Sequence, residues 1–256
     1  MTTRTRFSGK TALVTGAGSG IGRTTALAFA AEGAQVVVAG RTAASLDETV
    51  ALVEAKGGKA LAVTADVSRS DEVHALVEAA VDRFGSLDVA VNNAAVFHGG
   101  TPLADLPEAD WHAELDINVT GVFLALQAEI RQMRTQPSGG AIVSLASTIG
   151  LHTRRPGVAA YAAAKAAVTA LSRAAALDHI ADGVRINVVS PGASATTMSL
   201  RPGESEAERV ERARHELPLG RVSKTEEVAA AVLYLASDDA ASVVGTDLVV
   251  DSGGAL

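Results

Sequence analysis

A short apolar segment followed at once by a glycine-rich turn is the feature that most constrains the fold of this chain. Residues 11–15 (Thr-Ala-Leu-Val-Thr) are apolar or β-branched, which predicts a strand, and Gly16, Gly20 and Gly22 follow directly. Residues 23–31 then predict a helix. Glycines let the backbone approach a phosphate group closely, and the amino end of a helix attracts negative charge. The segment therefore predicts a dinucleotide-binding site at the start of an α/β fold.

The spacing of the glycines leaves an alternative open. It is Gly-x-x-x-Gly-x-Gly rather than the commoner Gly-x-Gly-x-x-Gly, so a glycine-rich turn that binds no ligand also fits the pattern. If the turn does bind a dinucleotide, the expected contacts to the cofactor are Gly16, Ser19, Gly20, Ile21 and Gly22.

Strand and helix signals alternate along the rest of the chain. Further strands are predicted over 36–39, 60–64, 88–91, 141–145, 185–189 and 247–250, and helices over 45–56, 70–83, 110–134, 158–181 and 225–236. The strands are continuous apolar runs, which indicates that both faces are buried. The alternation predicts a doubly wound, Rossmann-type parallel sheet with helices on both faces. We expect one domain over residues 1–256, because no linker or repeat interrupts the pattern.

Residues 201–216 do not follow this apolar pattern. They are mostly charged, and Pro202 and Gly203 stand near the start of the segment. Two interpretations remain open: a solvated surface helix, or part of a mobile lid that covers the site and extends over 193–216.

Charge and composition disfavour several classes of function. With 22 Lys+Arg against 29 Asp+Glu the formal net charge is −7, which disfavours nucleic acid or an anionic membrane as the main partner. The chain has no cysteine and its six histidines show no metal-ligand spacing, so we expect no disulfide and no metal site. The sequence contains no apolar run of about 18 residues to span a bilayer. We therefore expect a soluble, cytoplasmic protein.

The segment Tyr161-Ala-Ala-Ala-Lys165 carries the most informative chemistry. Its alanine-rich surroundings predict a helix, and residues four apart on a helix share a face. A phenol with a pKa near ~10 exchanges protons poorly at neutral pH, but a neighbouring ammonium group stabilises the phenolate and lowers its pKa. The pair is therefore a candidate general acid/base. Taken alone, a half-buried ring and a solvated cation explain the same spacing.

Other candidate residues directly follow the predicted strands. In parallel α/β sheets, ligands bind beyond the carboxyl ends of the strands, which lie at one edge of the sheet. The residues at these positions are Gly16, Arg41, Asp66, Asn92, Ser147 and Pro191. Each has a structural explanation on its own, such as a turn or a helix cap, but their common edge favours one shared site.

Six short motifs also occur in a fixed order along the chain. They are Thr15-Gly-Ala-Gly-Ser-Gly-Ile-Gly22, Asn92-Asn-Ala-Ala95, Asn118, Ser147, Tyr161-x-x-x-Lys165 and Pro191-Gly192. Their order and intervals resemble those of the short-chain dehydrogenase/reductase family, in its single-domain subgroup of roughly 250 residues. The resemblance covers the chain from about residue 9 to residue 254.

The resemblance implies an NAD(P)-dependent enzyme that interconverts a small-molecule secondary alcohol and a ketone. Tyr161 would remove the alcohol proton as hydride is transferred, and Lys165 would support it and bind the nicotinamide ribose. Ser147 would orient the substrate oxygen. Asn118, in the interior of the predicted helix, would hold a water that relays the proton; bonding within its own helix is the alternative for that side chain.

The role of Ser147 has two rivals nearby. Ser144 falls inside the predicted strand, and Thr148 lies one residue late for the family pattern. Ser147 and Tyr161 are fourteen residues apart, one more than is common in the family, and the extra residue falls within 151–160.

The resemblance further implies which residues contact the cofactor. Asp66 would bond the adenine, Asn92 would shape the adenine and ribose pocket, and Val67 and Ala94 belong to the same set. Pro191, Gly192 and Thr196 would line the nicotinamide side. Ser194 would do so too, but it stands where the family usually has Val or Ile, which leaves a backbone contact as the expectation there.

The residues after the second strand favour NADP over NAD. NAD enzymes usually place an acidic residue there to bond the ribose 2′-hydroxyl, whereas Gly40 offers no carboxylate. The guanidinium of Arg41 can pair with a 2′-phosphate. Ser19 stands where many NADP enzymes carry a second basic residue, so we expect a preference and not absolute discrimination. Stacking of Arg41 on the adenine, with either cofactor accepted, is the alternative.

Two other functions stay open. A catalytically silent nucleotide-binding relative is one, although Tyr161, Lys165 and Ser147 are all present. A 3-oxoacyl-thioester (acyl-carrier-protein) reductase is the other, because the Tyr-Ala-Ala-Ala-Lys segment resembles that subgroup. In that case the helical arginines at 131, 134 and 173 would dock an acidic carrier.

The resemblance also implies a homotetramer. Relatives pair the long helices equivalent to 110–134 and 158–181, and separately the last helix and strand. The sequence does not indicate the substrate. Candidates for lining its pocket are Phe97, His98, Thr148, His152, Arg154, Arg155, Gly157 and Met198.

Overall fold

Seven parallel strands form a single sheet at the centre of the structure, a computed structural model that describes residues 5–256. The strands are β1 (Thr11–Thr15), β2 (Gln35–Gly40), β3 (Lys59–Thr64), β4 (Val89–Asn92), β5 (Gly140–Leu145), β6 (Val184–Pro191) and β7 (Asp247–Val250). Their order is β3-β2-β1-β4-β5-β6-β7. The chain thus builds the sheet toward one edge from β1 to β3 and toward the other edge from β4 to β7. This is a doubly wound sheet, so the predicted fold class is confirmed. The first residues of the predicted 1–256 domain, 1–4, lie outside the described part of the chain.

Helices cover both faces of this sheet. They are α1 (Gly20–Ala31), α2 (Ala43–Glu54), α3 (Ser70–Phe84), α4 (Glu108–Leu115), α5 (Gly121–Met133), the short helical turn α6 (Thr148–Leu151), α7 (Ala159–His179), α8 (Glu206–Glu216) and α9 (Thr225–Ala236). Apolar residues of α3, α5 and α7 pack in one hydrophobic cluster, and those of α1, α2 and α9 in a second. The sheet separates the two clusters.

Alternation along β1 shows how the sheet divides the core. Leu13 belongs to the cluster of α3, α5 and α7, whereas its neighbours Ala12 and Val14 belong to the cluster of α1, α2 and α9. Successive residues of a strand face opposite sides, so a strand between two helical layers needs apolar residues at every position. The predicted burial on both faces is therefore confirmed for the inner strands, as in β1 and β4.

The prediction of burial on both faces is wrong for β3 and β7. Every residue of β7 is half-buried, and Lys59 and Thr64 at the ends of β3 are exposed. Both strands lie at an edge of the sheet and have a neighbouring strand on one side only, so part of their surface stays open. An apolar run does not reveal that a strand will lie at an edge.

The helical stretch predicted over 110–134 is confirmed, but it is not a regular α-helix throughout. It consists of α4 and α5, joined by a π-helical turn at Asp116–Thr120. Such turns hold one residue more than a regular turn and are frequent at functional sites. This one carries Asn118, which is fully buried.

Residues 201–216 do contain a helix, but it is not solvated on all sides. A capping box between Ser205 and Glu208 begins α8. Arg209 is 5% exposed and donates to the carbonyl of Thr196 at 2.9 Å, so one face of α8 is anchored to the loop that follows β6. Movement of 193–216 as a lid stays a prediction.

The turn before β5 provides a test of how closely the strand connections pack. Gly139 has a φ of +60° and lies against Gly183, whose carbonyl oxygen a Cβ at position 139 would overlap. We expect Gly139→Ala to lower the free energy of unfolding by about 2–4 kcal/mol, as a left-handed conformation and an overlap add up. Chemical denaturation measures the loss.

Gly57→Ala is the matched control. Gly57 has a φ of +79°, but no atom lies within 4 Å of the position that a Cβ would take there. This variant should lose about 1–2 kcal/mol, which is the cost of the left-handed conformation alone. Equal losses for the two variants would contradict the predicted overlap.

Candidate functional site

The predicted site residues lie at the carboxyl edge of the sheet. All strand pairs are parallel, so the ends of successive strands meet along one edge. At or just beyond these ends stand Gly16, Arg41, Asp66, Asn92, Ser147 and Pro191. The structure thus brings together the residues that the sequence assigns to one site.

The glycine turn between β1 and α1 is packed too closely for side chains. A Cβ on Gly22 would overlap the carbonyl oxygen of Gly16 and would come within 2.5 Å of Asn93 Nδ2. Asn93 Nδ2 donates to the carbonyls of Thr15 (2.9 Å) and Gly16 (3.2 Å), which ties the turn to the end of β4. Helix α1 begins at Gly20, and the N–H groups of its first turn have no partner within the helix. These features fit a pyrophosphate group.

A cleft of about 630 Å³, counted to its open mouth, begins at this turn. Among its lining residues are Gly16, Gly40, Arg41, Asp66, Val67 and Ala94. All of these except Gly40 are predicted cofactor contacts. The glycine backbone, the Arg41 guanidinium and the Asp66 carboxylate in this lining fit a dinucleotide by their chemistry.

Asp66 presents a carboxylate to this cleft. Its Oδ1 accepts hydrogen bonds from Ser68 N–H at 3.0 Å and from Ser68 Oγ at 2.7 Å. These two bonds hold the pKa of Asp66 below its usual value, the backbone bond most strongly. Within residues 5–256 no donor bonds Oδ2, so this oxygen is free to accept from an adenine amino group.

Asn92 turns its amide into the protein. Asn92 Nδ2 donates at 2.9 Å to Oε2 of Glu129, which is 1% exposed. Burial raises the pKa of Glu129 to about 7. The amide donor of Asn92 is thus used inside the fold, and its predicted contribution to the adenine and ribose pocket is limited to the shape of the wall.

Tyr161 and Lys165 share the inner face of α7, as the spacing predicts. They are 7% and 3% exposed, and Lys165 Nζ lies 5.7 Å from the centre of the Tyr161 ring. The Lys165 ammonium donates to the carbonyl of Leu145 at 2.9 Å. This bond fixes the charged group at the end of β5, close to Ser147.

The pKa of Tyr161 departs from the expectation. A lowered pKa was expected beside Lys165, but burial raises the pKa of Tyr161 to about 12, with the Ser147 hydroxyl acting against the rise. Burial also lowers the pKa of Lys165 to about 8. Removal from water disfavours the charged form of each group, and it is the largest influence on both pKa values.

The structure gives Ser147 and Ser144 different surroundings. Ser147 Oγ accepts from Ile149 N at 3.1 Å and begins the turn α6. Ser144 is fully buried and its hydroxyl accepts from Ser172 Oγ at 2.9 Å, so it is committed to holding α7 on the sheet. Thr148, the other rival, is 6% exposed.

Asn118 bonds across to a neighbouring loop. Its Oδ1 accepts from Val96 N at 3.0 Å and its Nδ2 donates to the Val96 carbonyl at 2.9 Å. The same Nδ2 also donates to Oε2 of Glu114, one turn earlier in the chain. The side chain of Asn118 therefore holds the loop after β4 in place.

The loop after β6 passes close to the glycine turn. Thr196 Cγ2 lies 3.2 Å from the position that a Cβ on Gly20 would take. Ser194 is buried and turns its hydroxyl back onto the carbonyl of Gly192 at 3.1 Å. A backbone contact from Ser194 to a ligand stays a prediction. Pro191 and Gly192 lead into this loop from β6.

Two of the candidate pocket residues have clear positions. Phe97 is 38% exposed, and its ring packs edge-on against Tyr161 with 4.9 Å between the ring centres. It therefore adjoins the candidate reaction centre. His152 instead bonds Asp247 of β7 through Nε2 at 2.8 Å, which ties the loop after α6 to an edge strand.

Sequence reasoning missed Asn93, Glu114 and Glu129. Asn93 is the second residue of an Asn-Asn pair whose first member was singled out. Glu114 stands four residues before Asn118, a spacing that puts both on one helix face. The burial of Glu129 follows from packing between α5 and the sheet, and no local pattern signals it.

Across residues 5–256, no three His, Cys, Asp or Glu side chains group in a way that could hold a metal ion. None of the helices in that range is both long enough and apolar enough to cross a membrane.

Several curated proteins are similar to this chain along nearly its full length. A family model described as enoyl-(acyl carrier protein) reductase matches residues 16–254. The short chain dehydrogenase/reductase astE of Aspergillus oryzae is 43% identical, over 96% of this chain and 95% of the relative. Cyclohexanol dehydrogenase of Acinetobacter sp. is 39% identical over 96% and 95%. A 3-oxoacyl-[acyl-carrier-protein] reductase of Synechocystis sp. is 40% identical over 97% and 98%.

Solved structures agree with these matches. Levodione reductase superposes with a TM-score of 0.91 at 35% identity, covering 97% of this chain and 98% of its own. A short chain dehydrogenase from Burkholderia cenocepacia, in complex with NADP, gives a TM-score of 0.88 at 35% identity over 97% and 99%. Sequence and structure thus show that the chain belongs to the short-chain dehydrogenase/reductase family of oxidoreductases.

Proposed function

We propose that this chain is an NAD(P)-dependent oxidoreductase that interconverts a secondary alcohol and a ketone, with Tyr161 as the general acid/base. The observation that supports this most is the buried Tyr161–Lys165 pair beside Ser147, at the sheet edge that carries the glycine turn and the cleft. A bound nicotinamide dinucleotide supplies the donor or acceptor of hydride. The protein supplies the proton and the orientation of the substrate.

Each of the three side chains has a task at a defined atom. The Tyr161 hydroxyl, kept neutral by burial, gives its proton to the substrate oxygen in reduction. In oxidation the phenolate takes the proton, and the ammonium of Lys165, held on Leu145, stabilises that charge. The Ser147 hydroxyl orients the substrate oxygen. Asn118 holds the neighbouring loop, and the proposal also includes its predicted role of holding a water that relays the proton.

Tyr161→Phe tests the assignment of the acid/base. Turnover should fall by about 10²–10⁴-fold, which is the usual contribution of a general acid/base, while cofactor binding stays within about twofold because the proton matters only in the chemical step. Steady-state rates with a panel of alcohols and ketones, together with cofactor titration by fluorescence, measure both.

The chain offers a matched control in its other tyrosine. Tyr234 on α9 is 40% exposed, so Tyr234→Phe should leave the rate unchanged. If Tyr161→Phe keeps more than about a tenth of the wild-type rate, general acid/base catalysis by Tyr161 is refuted.

We propose NADP as the preferred cofactor. Gly40 and Arg41 line the cleft together, and within residues 5–256 Arg41 takes part in no ion pair. The guanidinium is therefore available to a 2′-phosphate. The structurally similar Burkholderia enzyme is in complex with NADP.

Arg41→Ala should reduce this preference. For the wild type we expect kcat/KM to favour NADP by tens of fold, in keeping with about 1.5–3 kcal/mol for a charged hydrogen bond. The variant should lose most of that preference and keep its rate with NAD. Arg83→Ala, an exposed arginine near the end of α3, is the control and should change neither value. Equal or better use of NAD by the wild type would rule out the assignment.

Reduction of a 3-oxoacyl thioester is the second candidate. The Synechocystis relative with that activity in its name supports it. The positions of Arg131 and Arg134 do not support the carrier-docking role suggested for them, and that role for Arg173 stays a prediction. Arg131 and Arg134 end α5 just before β5 begins, which is the sheet edge opposite the site. Comparison of kcat/KM for an acetoacetyl thioester and for a cyclic ketone separates the two candidates. A silent nucleotide-binding relative would turn over neither.

We propose a homotetramer that pairs α5 and α7 across one interface. The exposed apolar side chains of Phe123 on α5 and Leu177 on α7, at 44% and 80%, support this, as does Ala163, an exposed small residue on α7. Ala163→Arg should therefore yield smaller particles by light scattering at micromolar concentration. Ala55→Arg, after α2, should stay at the wild-type mass. A monomeric wild type would contradict the tetramer.

The cytoplasmic location stays a prediction.

A further inference from the structure

A buried carboxylate that has no part in the proposed chemistry lies next to the reaction centre. Glu114, the next-to-last residue of α4, is 0% exposed, and α4 packs against α7, the helix that carries Tyr161 and Lys165. A buried carboxylate is costly unless other groups compensate for it. Its partners therefore indicate what it does.

Both oxygens of this carboxylate accept hydrogen bonds from N–H groups. Oε1 accepts from the backbone N–H of His98 at 2.5 Å, and Oε2 accepts from Nδ2 of Asn118. Burial raises the pKa of Glu114, and the two donors, one on each oxygen, act against that rise. They suit the deprotonated form, which only accepts. Since Asn118 bonds Val96 as well, Glu114 completes a clamp around the loop after β4.

The groups around Glu114 come from three elements, two of which contribute charged or titratable side chains. The loop after β4 contributes His98, whose Nδ1 lies 3.7 Å from Oε1. Helix α7 contributes Lys165 and Tyr161, both near enough to feel the carboxylate charge. The π-helical turn contributes the neutral amide of Asn118.

We propose that Glu114 is a positioning residue for this site: its carboxylate clamps Asn118, and its negative charge keeps the buried Lys165 in the ammonium form. Burial lowers the pKa of Lys165, and the charge of Glu114 counters that effect. Without Glu114, Lys165 would therefore lose its proton at a lower pH. Without the ammonium, the phenolate of Tyr161 loses the charge that stabilises it. The link to catalysis rests on the proposed function, but the charge state of Lys165 does not.

Selective labelling makes that charge state measurable without turnover. The lysines of the chain are Lys10, Lys56, Lys59, Lys165 and Lys224. With so few, ¹³Cε-labelled lysine gives a simple NMR spectrum, and Lys165→Arg identifies its resonance by loss. A pH titration of the free protein then gives the midpoint of Lys165 directly.

Two substitutions separate charge from geometry. Glu114→Gln keeps the length of the side chain and one acceptor oxygen but removes the charge, so the midpoint of Lys165 should fall by about one pH unit. Glu114→Asp keeps the charge but shortens the reach to Asn118, so the midpoint should stay within about 0.3 units of the wild type while kcat falls. The control is Glu108→Gln on the same helix, whose carboxylate is 88% exposed and pairs with His112. This change should move nothing.

The same variants predict a change in the pH profile of kcat/KM. The decline on the alkaline side should begin about one unit earlier in Glu114→Gln than in the wild type, and below the pH of that decline KM for the cofactor should not change. An unmoved Lys165 midpoint in Glu114→Gln would overturn the proposal, even if activity dropped. So would a Lys165 midpoint that falls by about one pH unit in Glu114→Asp, a test that does not need the Gln variant to fold. If the Lys165 midpoint shifts in Glu114→Gln but the wild type turns over no alcohol or ketone, the charge role stands and the proposed function is refuted instead.

Discussion

Parallel pairing of all seven strands is the constraint on which the rest of the structure depends. Because every strand runs the same way, each connection must cross the sheet, and each carboxyl end arrives at the same edge. The glycine turn, Asp66, Asn92 and Ser147 come from distant parts of the sequence and meet for this reason alone. The site is thus a product of topology, and its residues need no contact with one another along the chain.

Charges removed from water are the second theme of this site. Lys165 and Glu114 lie within the same part of the core, and each is held by defined hydrogen-bond partners. A buried charge without partners would be neutralised or would destabilise the fold. Because their charges are opposite in sign, each of these groups favours the charged form of the other.

Sequence patterns predicted what depends on local spacing and failed where burial or neighbours decide. The bounds of α9 and β7 agree with the structure to the residue, because apolar runs between clear breaks define them. The exposure of β3 and β7 was missed, since edge position is set by strand order. The direction of the pKa shift of Tyr161 was wrong for a similar reason. Its neighbour Lys165 is visible in the sequence, whereas the depth of the ring below the surface is not.

The clamp made by Asn93 has a consequence for the thermodynamics of ligand binding. Its two hydrogen bonds to Thr15 and Gly16 tie the glycine turn to β4 before any ligand is present. A turn that is already rigid loses little conformational entropy on complex formation, so most of the gross contact energy is kept as affinity. In a mobile turn of the same composition, part of that energy would go into ordering the backbone. A single amide just beyond β4 would thereby contribute to the affinity of this turn for a phosphate group.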